Sequence, residues 1–368
     1  MKNGIERRLF VAATNQNDGK TTCSLGFVRG FGSLGRSVGF IKPVGQRYVT
    51  LDNKAVDEDF LLIHQACGLD CSLGDVNPVT VTSDFTRKFL DNPDRMYPAM
   101  ERAVLDCCAL AAEGSDLVVI EGTGHAGVGS VFRLSNAHVA RLVDAKVVLV
   151  TLGGIGRPVD EVAVNRSLFE QEGVPVVGVV VNKVVPEKLE QTQHYLSKAF
   201  AASGLPLLGV IPYAPRLSWP TVQQVAEVMH ATVLNGRDRL SNAIAQIIIG
   251  AMTPPNALKY LRDKMLLIAP GDRDDVVLAV MSLHLLSKDV HLSGIVFTGG
   301  LLPQPQTMEL VCRTDIPVLA VDEDTYETAS CINDILVKIR VTDEEKIQMA
   351  FSLVREHVDF AQLWNLLA

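Results

Sequence analysis

Leu9-Phe10-Val11-Ala12-Ala13, running into Thr14-Asn15-Gln16-Asn17-Asp18-Gly19-Lys20-Thr21-Thr22, is the stretch on which the fold of this chain turns. Five apolar residues read as a buried strand. The nine that follow have P-loop spacing, in which backbone N–H groups cradle phosphates, a lysine reaches the β and γ oxygens and the next hydroxyl holds Mg²⁺. Lys20 and Thr21 occupy those two places, while Thr14 stands where the motif has its first glycine. Thr14, Asn17, Asp18, Gly19, Lys20, Thr21 and Thr22 are therefore the candidate phosphate-loop contacts, at the start of a helix whose dipole favours anions.

Further apolar, β-branched runs occur at Ser37 to Lys42, Asp116 to Glu121, Lys146 to Thr151, Val176 to Asn182 and Leu207 to Ile211. Each ends in a polar or glycine-bearing loop and is followed by a helical pattern, the signature of parallel strands covered on both faces. Helices are expected to begin near Gly19, Asp57, Pro98, Asn136, Pro158 and Pro186, with Asp57 and Asn136 as N-caps. The fold class is α/β: a doubly wound, mainly parallel P-loop NTPase sheet over residues 1–215, followed by a smaller α/β domain over 216–342. The boundary is read at Tyr213 to Pro220, where two prolines interrupt the apolar periodicity. Strands are expected in the second domain at Ala231 to Leu234, Ile247 to Gly250, Met265 to Ala269, Gly294 to Phe297 and Val318 to Val321. Its helices are expected near Asn256 to Arg262, Asp274 to Ser287 and Thr325 to Lys338, and residues 343–368 form a helical cap.

The chain has 368 residues, 48% hydrophobic and 21% charged, with a formal net charge of −8. That balance argues against an extended nucleic-acid surface and points to small anions and proteins as partners. The run after Arg7 and Arg8 is too short for a signal-peptide core and no stretch reaches the length of a membrane span, so a cytoplasmic, membrane-free protein is expected. Seven cysteines are expected to be reduced and buried, with Cys67 and Cys71 an isolated pair that lacks a second half at zinc-site spacing.

Ligands of open α/β sheets bind at the carboxyl ends of strands, which is where Lys20, Lys42 and Glu121 should converge. Glu121 is a candidate Mg²⁺ carboxylate and Lys42 a candidate for charge on a transferred phosphoryl group, making Lys20, Lys42 and Glu121 the catalytic candidates. Asp59 is either a helix-dipole residue or a further Mg²⁺ ligand beside Thr21 and Glu121. Asn182, after another buried strand, is either a turn residue or a reader of a purine edge. Gly122-Thr-Gly124-His-Ala-Gly127 matches a dinucleotide fingerprint with Asp144 about 20 residues on. However, the first βα turn belongs to the P-loop and the helix starts only near Asn136, so a flexible backbone nest beside the nucleotide is the preferred reading. His125 in that loop is the histidine best placed for acid–base work. Cys312, His357 and Asp359 have the residue types of a nucleophile, base and orienter, but Cys312 stands on no strand-to-helix elbow.

Thr14-x₄-Gly19-Lys20-Thr21, Lys42-Pro43-Val44 and Glu121-Gly122-Thr123-Gly124 resemble the dethiobiotin synthetase branch of P-loop proteins, which includes cobyrinic acid a,c-diamide synthase. Closer still is the resemblance to the N-terminal region of long bacterial phosphate acetyltransferases and to stand-alone phosphotransacetylase-like proteins. Gly127 to Val131, Leu134 to Asn136 and Gly153 to Pro158 carry it. Gly271-Asp272-Arg273 and Thr298-Gly299-Gly300 resemble the motifs of the DRTGG domain. The resemblance implies that Lys20 and Thr21 bind ATP phosphate and Mg²⁺, that Asp59 and Glu121 belong to the Mg²⁺ or nucleotide shell, that Lys42 meets substrate or phosphoryl group, and that Asn182 touches adenine. His125 replaces the second glycine of the synthetase loop and an insertion from Ala126 to Asn136 follows, which turns the reading away from the biotin-pathway substrate. The acetyl-transferring domain has no counterpart in these residues. The expectation is an ATP- and Mg²⁺-binding protein, regulatory or ATP-hydrolysing, with a DRTGG domain for dimerisation or sensing, an unidentified small-molecule substrate or effector, and a homo-oligomeric state. The alternatives are an ATP-dependent carboxylate-activating C–N ligase and a sensor of NADH or another metabolite.

Overall fold

The computed structural model describes residues 7–51, 54–69, 78–287 and 290–368. Two compact units are present: the chain up to Ala214 together with Ile339–Ala368, and Pro215–Lys338. The first begins with β1 (Arg7–Ala13), α1 (Lys20–Ser33) and β2 (Val38–Ile41). Short elements follow: β3 (Val44–Gly45), β4 (Tyr48–Leu51), β5 (Lys54–Asp57), α2 (Glu58–Cys67), β6 (Val79–Thr80) and α3 (Phe85–Asp91). Next come α4 (Pro93–Ala112), β7 (Leu117–Glu121), α5 (Asn136–Leu142), β8 (Lys146–Leu152), α6 (Gly156–Gln171), β9 (Val176–Val184), α7 (Leu189–Ala202) and β10 (Leu207–Pro212).

Six of these strands form one sheet in the order β10-β9-β8-β1-β7-β2, every pair parallel. Leu9 to Ala13, Leu117 to Ile120 and Val147 to Val150 are wholly buried, as central strands under helices on both faces must be. The chain goes from β1 out to β2, returns to β7, and then crosses to β8 on the other side of β1. The direction of winding therefore reverses around β1, which opens a crevice at the carboxyl ends of β7, β1 and β8. Register brings Val11 level with Glu121 and Val148, so the P-loop and the residue ending β7 emerge together.

The second unit contains α8 (Val222–Val228), β11 (Thr232–Asn235), β12 (Gln246–Ile249), α9 (Pro254–Tyr260) and β13 (Met265–Pro270). It continues through α10 (Asp274–Leu286), β14 (Leu292–Thr298), α11 (Pro305–Cys312), β15 (Val318–Ala320) and α12 (Thr325–Asn333). Its sheet order is β11-β15-β14-β13-β12, with β11 antiparallel and the rest parallel. One face buries Leu267, Val277 and Phe297; the other buries Val225, Leu266 and Ile332.

The tail forms α13 (Glu344–His357) and α14 (Phe360–Leu366), packed in the first unit on α1 and β10. Asp359 N donates to Leu208 O at 2.8 Å, and Lys146 Nζ donates to Leu366 O at 3.0 Å. Three sequence expectations need correction. The helix expected to begin near Pro98 begins at Pro93, with Pro98 tolerated inside it. Ser135, not Asn136, caps α5 by accepting from His138 N, because Asn136 is engaged elsewhere. Cys312 and Cys331 are exposed rather than buried, and Cys71 lies outside the described residues. Among the described residues no helix is long and apolar enough to cross a membrane.

Candidate functional site

The P-loop turns on two left-handed residues, Asn17 at φ 64° and Gly19 at φ 100°. Gly19 is required for a second reason: a Cβ there would overlap Asn182 Nδ2. Asn182, buried at the end of β9, donates from that nitrogen to Asp18 O at 2.8 Å, and Lys183 Nζ donates to Asn17 O at 2.8 Å. Asn182, the residue from which an adenine contact was expected, thus props the back of the loop. Thr14 is buried and its hydroxyl lies 2.8 Å from Asp18 Oδ2 and 3.0 Å from both Thr151 Oγ1 and Glu161 Oε2. Asn165 adds a bond to Thr14 O at 3.3 Å. The threonine that replaces the usual glycine is therefore a hub that ties the loop to the end of β8 and to α6.

Lys20 opens α1. Burial lowers its pKa from the usual lysine value, against the opposing pull of Glu121. Thr21 Oγ1 donates to Glu121 Oε1 at 3.0 Å, while Glu121 Oε2 is buried with no hydrogen-bond partner. A hydroxyl beside an incompletely satisfied carboxylate suits Mg²⁺, a hard cation that takes one or two protein oxygens and completes its shell with water and phosphate. Among the described residues no group of three or more His, Cys, Asp or Glu is arranged to hold a metal ion.

Lys42 stands at the centre of a different arrangement. Its Nζ is 3.2 Å from Glu121 Oε1 and 3.3 Å from Asp57 Oδ1, and it hydrogen bonds to Asp59 Oδ2. All four side chains are buried. Burial alone would depress the lysine pKa, but Glu121, Asp59 and Asp57 together hold it well above its ordinary value. Asp57 has two tasks, since it also caps α2 by accepting from Asp59 N and Phe60 N. Asp59 is thus committed to Lys42.

The Gly122 to Asn136 loop is anchored, which corrects the expectation of a flexible nest. Asn136 accepts from Thr123 N at 3.0 Å and donates to Thr123 O at 2.8 Å and His125 O at 2.7 Å. Asn165 accepts from Ala126 N at 2.9 Å. The glycines lead into a 3₁₀ turn at Ser130–Phe132, with no α-helix start to receive a pyrophosphate until Asn136. His125 is exposed and accepts from Gly127 N. Asn136→Ala is expected to destabilise the first unit by about 1–3 kcal/mol, because it strands one partly buried donor and two acceptors. Urea denaturation measures the loss, and faster amide exchange confined to 122–127 would place it.

Cys312 ends α11, His357 bonds to Leu353 O and Asp359 caps α14, so each has a local structural task. In the second unit Arg273 donates to Gly250 O at 2.9 Å and Met252 O at 3.0 Å and pairs with Asp275. A Cβ at Gly271 would overlap Leu301 O. These motif residues fix the turns after β12, β13 and β14 to one another. Sequence reasoning missed Glu161, Asn165, Lys183 and Asn136 as loop supports; their partners are backbone atoms or residues far along the chain.

A model of the AAA domain matches residues 7–221 and a model of the DRTGG domain matches 224–335. A phosphate acetyltransferase from Pseudomonas putida is 31% identical over 366 residues, covering 96% of this chain and 51% of that protein. Another from Nitratidesulfovibrio vulgaris is 27% identical, covering 98% and 51%. The chain spans about half the length of these curated relatives. Among solved structures, the septum site-determining protein MinD of Pyrococcus horikoshii, complexed with Mg-ADP, is 16% identical with a TM-score of 0.36, covering 58% of this chain and 84% of that one. With the P-loop sheet inside the first match and the 271–273 and 298–300 turns inside the second, this phosphotransacetylase-like chain belongs to the AAA_26 family of AAA domains, followed here by a DRTGG domain.

Proposed function

We propose that the first unit binds ATP with Mg²⁺ and serves as a regulatory or metabolic nucleotide module, with the DRTGG unit for dimerisation or effector sensing and acetyl transfer lying outside both. The observation that carries this reading is the meeting of Lys20, Thr21 and Glu121 at the carboxyl ends of β1 and β7, with one Glu121 oxygen buried and unsatisfied. Lys20 and the loop N–H groups would hold the phosphates; Thr21 and Glu121 would hold the cation, which supplies charge neutralisation between phosphate oxygens. Lys42, ringed by three carboxylates, organises Glu121 from behind. This favours binding or slow hydrolysis over a ligase in which that lysine receives a substrate carboxylate.

Lys20→Ala is expected to abolish the thermal upshift that Mg-ATP gives the wild-type protein and to weaken nucleotide affinity about 100-fold or more, since a buried, charge-assisted phosphate contact is lost. Equal shifts in both proteins, or none in the wild type, would refute the proposal.

A further inference from the structure

Thr14 has one hydroxyl hydrogen and three acceptors around it: Asp18 Oδ2 at 2.8 Å, Thr151 Oγ1 at 3.0 Å and Glu161 Oε2 at 3.0 Å. Thr151 has a hydrogen of its own and can donate to Thr14. Two carboxylate oxygens then compete for one hydrogen, and the loser faces an oxygen lone pair at hydrogen-bond distance with nothing between. That contact is repulsive unless a carboxyl group brings a proton. Asp18 is the group placed to do so, being wholly buried, with Oδ2 accepting from Asn15 N at 2.7 Å and its other oxygen, Oδ1, unpartnered. Glu161 is only partly buried, its Oε1 accepting from Arg157 Nε at 2.7 Å.

We infer that Asp18 is carried as a neutral carboxylic acid beneath the phosphate loop, donating to Thr14 Oγ1, while Thr14 donates to the ionised Glu161. The inference rests on the nucleotide-binding reading above and assigns Asp18 and Glu161 as positioning residues of that site. The charged groups around Asp18 are Lys20 from α1, Glu161 and Arg157 from α6, and Lys183 at the end of β9. Burial raises the Asp18 pKa, with Glu161 adding to the rise against Thr14, Asn15 N and Lys20. Burial likewise opposes ionisation of Glu161, but Arg157 and Thr14 outweigh it and hold that carboxyl below its usual range.

The functional consequence is electrostatic. With Asp18 neutral the loop presents Lys20 and its N–H dipoles to an anion without a negative charge directly behind them. Ionisation of Asp18 places that charge under the phosphates and weakens binding.

Two measurements test this on wild type, Asp18→Asn and Glu161→Gln from about pH 5 to pH 9. The first is urea stability of the ligand-free protein. Native Asp18 keeps a proton that the unfolded chain releases near pH 4, so wild-type stability falls relative to Asp18→Asn as pH rises, levelling once native Asp18 ionises. The second is ADP affinity by calorimetry with Mg²⁺ present. The two proteins should agree within about twofold where native Asp18 keeps its proton, and Asp18→Asn should bind about tenfold more tightly once the pH is high enough to ionise native Asp18. Glu161→Gln removes the neighbouring charge that discourages ionisation and should move the wild-type transition to lower pH. A difference between wild type and Asp18→Asn that is constant with pH in both measurements overturns the inference, as does one that follows K⁺ concentration instead. Absence of ADP binding at every pH with the stability profile intact would defeat the nucleotide reading while supporting the placement of the proton.

Discussion

Lys42→Met is expected to destabilise the protein by about 3–5 kcal/mol at neutral pH, the usual consequence of removing one side of a buried ion cluster. Methionine replaces most of the lysine volume, so a cavity is not the cause. The loss arises because Asp57, Asp59 and Glu121 would be left buried without the ammonium that they surround. The sign of the pH dependence follows from the lysine. Its native pKa lies above the unfolded value of 10.5, so its stabilisation is fully present below that value and is lost only as pH rises through the higher native pKa. Between about pH 6 and pH 9 the gap between wild type and variant should therefore be flat on the lysine side. On acidification the stranded carboxylates of the variant take up protons and the gap should narrow. Urea midpoints at pH 7 and pH 5 check both statements. A neutral-pH loss under about 1 kcal/mol would mean that the ammonium is hydrated and that the cluster is a surface ion pair in energetic terms.

The same residue shows how far the sequence could be read. The sequence puts Lys42 and Glu121 in one crevice because both end buried apolar runs, and strand ends in such sheets converge; the structure places them 3.2 Å apart. What they do to each other was not legible. Asp57 and Asp59 reach Lys42 only because α2 is set down beside β2, and the intervening β3 to β5 are too short to show a period. The P-loop was readable because its chemistry is local and contiguous. Its supports were not, since Asn182, Asn165 and Glu161 lie more than 140 residues away and meet the loop through a tertiary arrangement. In the second unit the alternation of strand and helix was visible, but the tail beyond Lys338 carries no sequence mark of the sheet that it rejoins.

That return of the tail depends on two small residues, and Gly26→Ala together with Gly30→Ala is expected to weaken it by about 1–4 kcal/mol. Both glycines lie in α1, one turn apart on the face that α13 and α14 cover. A Cβ at Gly26 would overlap Val354 Cβ, and one at Gly30 would overlap Phe360 Cε1 and Cζ. Val354 has no room, being 0% exposed; the Phe360 ring, 9% exposed, is set edge-on to Phe31 and Phe27 at 5.1 and 6.1 Å and has to shift from those rings to yield. Helix propensity opposes this, because alanine is favoured over glycine in a helix interior by up to about 1 kcal/mol. Overpacking costs about 1–3 kcal/mol per site and prevails where the neighbour is rigid. Gly32→Ala is the control that separates the two effects. It lies in the same helix with nothing within 4 Å of its Cβ position, so only propensity acts and a gain of up to about 1 kcal/mol is expected. Trp364 should report the displacement directly, since its ring packs on Phe31 at 5.6 Å and under the Arg7 and Arg36 guanidinium groups at 4.0 and 4.3 Å. Its fluorescence is expected to change in the double variant and to stay constant in Gly32→Ala. Equal stability changes across all three glycines would mean that the tail yields freely and that the contact with α1 contributes little.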